Sequence, residues 1–171
     1  MADEGGDFEW AAPDSEVHAF INHLELPVGT YLYGRRMYET MAVWETMDPA
    51  GQSRETQDFA AIWRAAEKIV YSSSLAEVST QRTRLEPSFQ VTTVRALKAS
   101  STRDLTIGGP TLAAEALRAS LVDEFQLFVV PVVIGGGTHW LPRGWRVRLE
   151  LLDERRFRGG MVYLRYAVAS S

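Results

Sequence analysis

The chain of 171 residues contains no cysteine, which excludes disulfides, thiolate nucleophiles and the common zinc frameworks, and is compatible with a reducing compartment. Cytoplasmic localisation is the reading that follows. Histidine is scarce: His18 and His23 stand five apart on one predicted helix and do not share a face, and His139 stands alone in a loop, so no histidine metal site is expected. The longest apolar run, Leu127 to Ile134, falls far short of the roughly 20 residues that span a bilayer. Met1 to Asp7 are acidic and Gly-rich, without the basic start and apolar stretch of a secretory signal. A net charge of -4 provides no sequence-wide attraction to phosphate backbones or anionic membranes, so neither nucleic acid nor membrane is an expected partner. Also missing are G-x-G-x-x-G, a Walker loop, a nucleophile elbow and H-E-x-x-H.

What is present is an ordinary globular mixture, 46% hydrophobic and 23% charged, sized for a single domain over residues 1–171. Pro13-Asp14-Ser15 reads as a helix start, and Val17, Phe20, Ile21 and Leu24 follow at helical spacing until Pro27 and Gly29. Thr30 to Tyr33 reads as a strand, Arg35 to Trp44 as helical, Phe59 to Ala66 as a helix, and Lys68 to Tyr71 as a strand leaving through Ser72-Ser73-Ser74. A strand near Phe89-Gln90-Val91, a helix over Val94 to Ala99 and a strand over Asp104 to Ile107 come next. Gly108-Gly109-Pro110 then opens a helix whose apolar face is Leu112, Ala113, Ala116, Leu117 and Leu121. Glu124 to Val133 reads as a central strand covered on both faces. Val147, Leu149 and Leu151, then Arg158-Gly159-Gly160, then Val162 to Val168, read as a terminal antiparallel hairpin. The alternation predicts a mostly parallel sheet with helices on both faces.

Several motifs have the chemistry of an anion site. The Gly pair in Ile107-Gly108-Gly109-Pro110-Thr111 lets backbone N–H groups at a helix start approach a pyrophosphate; a plain tight turn is the open alternative. Gly34-Arg35-Arg36 places two cations in a first helical turn, where the dipole disfavours them and an adenosine 2′-phosphate would reverse the penalty. The alternative is a solvated pair, with Arg35 bound to Glu39 one turn on. Ser72-Ser73-Ser74 sits at a strand's carboxyl end, either as a ligand-binding turn or as a cap. Gly135-Gly136-Gly137 would admit a cofactor closely or serve as a flexible loop. Asp14 and Glu16 are the candidate proton donors, with helix capping as the competing role.

In order, Gly34-Arg35-Arg36-Met37-Tyr38-Glu39, Ile69 to Ser74, Ile107 to Leu112, Val122 to Leu127 and Pro131 to Gly137 resemble the riboflavin-biosynthesis reductase C-terminal domain family of the dihydrofolate reductase fold. The resemblance implies a three-layer α/β/α domain, a homodimer, and NADPH as cofactor. It places the 2′-phosphate side on Gly34, Arg35, Arg36, Ser72 and Ser73, and the pyrophosphate on Gly108, Gly109 and Thr111, with Met37, Ile107 and Leu112 completing the set. Met37 stands where the family often has Thr. The family's first apolar strand has no counterpart here: Met1 to Trp10 resemble only the Gly-rich acidic turn after it, so Met1 is expected to be an internal methionine of a longer natural chain. The implied activity is hydride transfer from NADPH to a small heterocyclic, pterin- or pyrimidine-like, substrate at a C=N or C=O type bond. The alternatives are a non-catalytic NADP-binding module and an interaction domain using Trp44, Trp63, Trp140 and Trp145.

Overall fold

The computed structural model describes residue 5, residues 7–137, residue 139 and residues 141–169; Met1 and Trp140, named above, lie outside them. A short 3-10 turn at Glu9–Ala11 precedes helix α1 (Ser15–Glu25). Asp14 caps α1, its carboxylate accepting from Val17 N at 2.9 Å, and Glu16 adds negative charge to the first turn. After Pro27 comes β1 (Val28–Gly34), then α2 (Arg35–Met41), the single turn α3 (Val43–Thr46) and α4 (Arg54–Ala65). Ser53 caps α4 by accepting from Thr56 N. Then follow β2 (Glu67–Tyr71), β3 (Thr83–Glu86), α5 (Val91–Ser100), β4 (Asp104–Gly108) and α6 (Pro110–Arg118), and finally β5 (Glu124–Val129), β6 (Leu149–Arg156) and β7 (Val162–Val168).

The strands form a parallel sheet in the order β3-β2-β1-β4 and an antiparallel sheet in the order β5-β7-β6. The α/β architecture with its C-terminal hairpin is the one expected, but its sheet is in two pieces: no strand joins β4 to β5 among the described residues.

Alternation along the strands explains the layers. Tyr31, Tyr33 and Val70 point to one face and pack with Phe59 and Trp63 of α4. Leu32 and Ile69 point to the other and pack with Val94 of α5 and with Leu112 and Ala116 of α6. Trp63 is fully buried, its indole N–H donating to Tyr33 Oη at 3.2 Å. Lys68 is buried beside it; its ammonium sits 4.2 Å from the Trp63 ring centre and donates to Trp63 O. Burial pulls the pKa of Lys68 down. A third cluster joins Val17 of α1 to Phe157, Met161 and Tyr163 of the antiparallel sheet and its turn. Ile21 packs in the first cluster as well as the third, so α1 spans both sheets.

Two expectations change. No strand forms at Phe89-Gln90-Val91: Val91 begins α5, and Phe89 packs edge-on against Tyr71 instead. The strand is Thr83–Glu86, missed because one apolar residue, Leu85, among polar neighbours gives no period. The run from Glu124 is an edge strand of its sheet and ends at Val129. Pro131 has no N–H to continue a ladder, and Val133 beyond it is 96% exposed.

Candidate functional site

Parallel pairing brings several motifs to one end of the sheet. Tyr33 is in register with Gly108 on one side and Val70 on the other, and Gly34 is in register with Tyr71. The starts of α2 and α6 and the Ser72 turn therefore share the carboxyl edge, the usual ligand-binding side of an open α/β sheet. The glycines are packed tightly there. A Cβ on Gly108 would lie 3.2 Å from Met37 Cγ and 3.3 Å from the Tyr33 ring, and one on Gly109 would lie 3.7 Å from Met37 Cβ. Gly109 has φ +94°, a conformation that side chains resist. Met37 thus forms the wall between the two helix starts rather than a contact through a hydroxyl.

Neither helix start has a side-chain cap: Gly34 precedes α2 and Gly109 precedes α6. Thr111 is exposed while Leu112 is buried in the core beside the half-buried Ile107, so Leu112 offers the site backbone only. The Thr111 and Leu112 N–H groups fall in the first turn, where no intrahelical acceptor exists. At α2, Arg35 and Arg36 are exposed. Arg35 Nε pairs with Glu39 Oε1 at 2.7 Å, and its Nη1 donates to Ser74 Oγ at 3.1 Å. Ser74 is the member the sequence reading left out; the spacing of the serines could not say which one meets the arginine. Ser72 Oγ is occupied, accepting from Ser74 N and Leu75 N, while Ser73 is exposed. Tyr38 anchors α2 from below, its hydroxyl accepting from Ser79 N at 2.8 Å. Burial works to raise its pKa, but hydrogen bonds with Ser79 and Thr80 outweigh that and hold it below the ordinary value. Burial pushes the Tyr33 phenol well up, so it stays neutral under Gly108.

Asp14 and Glu16 are placed apart from this junction, against the β6–β7 hairpin. Asp14 caps α1, and its Oδ2 lies 2.8 Å from where a Cβ on Gly159 would sit. Glu16 accepts from Arg155 Nη2 at 3.3 Å and from Arg158 N at 3.2 Å. Gly135 and Gly137 have φ of +71° and +112°, and a Cβ on Gly135 would meet nothing within 4 Å, so crowding is not what requires glycine at 135. One cavity of about 370 Å³ lies off the junction, between α1 and α4, and one of about 590 Å³ lies between β4 and β5 and reaches the junction at Ile107.

The profile of the RibD C-terminal domain family matches residues 1–163. The chain belongs to that family. As a RibD C-terminal domain it is 26% identical over 170 residues to the uncharacterized protein YyaP of Bacillus subtilis (strain 168), covering 95% of this chain and 85% of that protein. Its fold is similar to a structure assigned to riboflavin biosynthesis from Shewanella sp. PV-4, with a TM-score of 0.75, 17% identity and coverage of 99% of this chain and 92% of that one. It is also similar to a pyrimidine reductase-like protein of Corynebacterium diphtheriae, with a TM-score of 0.63, 14% identity and coverage of 93% and 83%. Among the described residues of this RibD C-terminal domain, no helix is long and apolar enough to cross a membrane.

Proposed function

We propose that the chain is an NADPH-dependent reductase acting on a small heterocyclic, pterin- or pyrimidine-like, substrate. The observation that carries the reading is the meeting, at one sheet edge, of the uncapped start of α6 with the Arg35–Ser74 cluster at the start of α2. Membership of the RibD C-terminal domain family and the likeness to a pyrimidine reductase-like protein support it. The residues fit a phosphorylated dinucleotide: the first-turn N–H groups of α6 have no side-chain cap, and Arg35 and Arg36 are exposed at the neighbouring helix start. Bound there, NADPH supplies hydride to the substrate. The Thr111 and Leu112 N–H groups would hold the pyrophosphate, Arg35 and Arg36, with Ser72 and Ser73, would hold the 2′-phosphate, and Met37 keeps the two helix starts apart. Asp14 or Glu16, or water, delivers the proton.

Fluorescence titration with NADPH and NADH side by side tests this, repeated on the Arg35→Ala/Arg36→Ala double variant. Tighter binding of NADPH is expected, with a selective loss of about tenfold or more in the variant, the size of one charge-assisted phosphate contact. Equal affinity for the two nucleotides in the unaltered chain would sink the reading. A second reading, an NADP-binding module without turnover, is favoured by one observation: both candidate acids are already held, Asp14 as a helix cap and Glu16 by Arg155. Saturable NADPH binding with no oxidation of NADPH across pterin, quinone and pyrimidine substrates selects that second reading.

A further inference from the structure

Glu39 has no part in the chemistry proposed above, although its Oε1 accepts from Arg35 Nε at 2.7 Å. As a device for stabilising α2 the pair is poorly arranged. A cation one turn ahead of an anion opposes the helix dipole at both positions, and exposed pairs at this spacing contribute little even in the better order. Both side chains are about half exposed, so no buried charge requires the pairing.

What distinguishes the pair is a third member from another segment. Arg35 Nη1 donates to Ser74 Oγ at 3.1 Å, from a residue 39 positions along the chain. The Ser74 turn is itself pinned, since Ser72 Oγ accepts from Ser74 N at 3.2 Å and from Leu75 N at 3.0 Å. The guanidinium is therefore held at two of its three nitrogens, by α2 and by the exit of β2, and a planar group held at two points has a set orientation. Its Nη2 has no partner among the described residues, and neither does the Arg36 guanidinium.

The two arginines thus differ: Arg35 is set before a ligand arrives, and Arg36 is free to adapt. A long side chain ordered in advance avoids the loss of freedom that accompanies binding. The opposing effect, repulsion between the Glu39 carboxylate and a phosphate, is weak in the high dielectric of this half-exposed rim.

On the reading that NADPH is the ligand of this junction, we infer that Glu39 is a positioning residue for recognition of the 2′-phosphate. With Ser74 it fixes the Arg35 guanidinium to meet the phosphate, and Arg36 is the adaptable half of the clamp.

Fluorescence titration with NADPH and NADH tests this on the unaltered chain and on Glu39→Ala, Glu39→Gln and Ser74→Ala. Glu39→Ala is expected to weaken NADPH by about fivefold, the effect of one long side chain ordered in advance, and to leave NADH unchanged. Ser74→Ala is expected to act in the same direction and by less. Glu39→Gln keeps an acceptor for Arg35 Nε and is expected to bind NADPH at least as tightly as the unaltered chain. Where the unaltered chain prefers NADPH, three results would each overturn the inference alone: equal loss of both nucleotides in Glu39→Ala, no loss of NADPH in Glu39→Ala, or as large a loss in Glu39→Gln. Equal affinity for the two nucleotides in the unaltered chain would overturn the NADPH reading, and the role of Glu39 with it.

Discussion

The two sheets bury their strands in different ways. In the parallel sheet, β1 and β2 each carry three consecutive buried residues, Tyr31-Leu32-Tyr33 and Lys68-Ile69-Val70, because helices cover both faces. In the antiparallel sheet α1 covers one face, and β6 is exposed along nearly its whole length, with Leu151 and Leu152 about half exposed. The difference explains where the candidate site lies. Parallel strands bring their carboxyl ends to one edge, and the helix that follows each strand starts there with its N–H groups free. Antiparallel strands alternate direction and build no such edge. The antiparallel sheet instead supports α1, and through Phe157 and Glu16 it fixes the position of the helix start that holds both candidate acids.

The largest effect that contrast predicts is in the doubly covered sheet. Trp63→Ala removes the fully buried ring between α4 and β1 and is expected to cost about 3–5 kcal/mol in urea unfolding; a loss under about 1 kcal/mol would mean that the parallel half is not the more tightly packed one. Gly109→Ala is expected to cost about 1–3 kcal/mol, because the residue must hold φ +94°, and to weaken NADPH in the same titration that reads the arginine pair. An unchanged nucleotide affinity in folded Gly109→Ala would remove the anion site from the parallel edge. On the antiparallel side, Tyr163 is fully buried and its hydroxyl has no partner among the described residues. Tyr163→Phe is therefore expected to raise stability by about 1 kcal/mol; destabilisation by the same amount would show a partner for the hydroxyl.

The smallest effect concerns Glu25, at the end of α1 beside the cavity between β4 and β5. Burial holds its carboxyl above the ordinary value of 4.5, offset in part by the hydrogen bond from Tyr31 Oη at 2.9 Å. The unfolded chain ionises first, so stability is lost as pH rises from about 4.5 through the folded value. Glu25→Gln keeps an acceptor for Tyr31, and its thermal midpoint is expected to exceed that of the unaltered chain at neutral pH and to match it below the ordinary value. A constant offset at all pH values would assign the effect to packing instead.

Much of this was legible in the sequence because local rules agreed with tertiary ones. The Asp14 cap and the spacing of Val17, Phe20, Ile21 and Leu24 specify α1, and Gly109-Pro110 specifies the start of α6. Arg35 does pair with Glu39 as the spacing allowed, and it reaches Ser74 too, a contact that depends on the parallel register of β1 and β2 and so has no signal along the chain. β3 was not legible, since an edge strand with one apolar residue leaves no periodic trace. The apolar run from Glu124 misled because apolar content does not fix a place in the ladder: β5 is an edge strand with Phe125 buried, Phe128 against Phe20 of α1, and Val129 about half exposed. Leu112, read as a cofactor contact, spends its side chain in the core; the sequence could not separate what a backbone offers from what a side chain does.

Helix α1 has a consequence for how the molecule comes apart. Val17, Phe20, Ile21 and Leu24 hold it to the antiparallel sheet, whereas Ile21, the His18 ring against Trp44 and Phe59, the bond from Asn22 Nδ2 to Glu55 O and that from Tyr31 Oη to Glu25 hold it to the parallel half. Helix α1, together with the Lys98–Asp123 pair at the start of β5, couples the two halves into a single cooperative unit. Partial opening should follow the seam between the two sheets, which α1 bridges with contacts to both, so that the chain divides into two foldons at a place no linker marks.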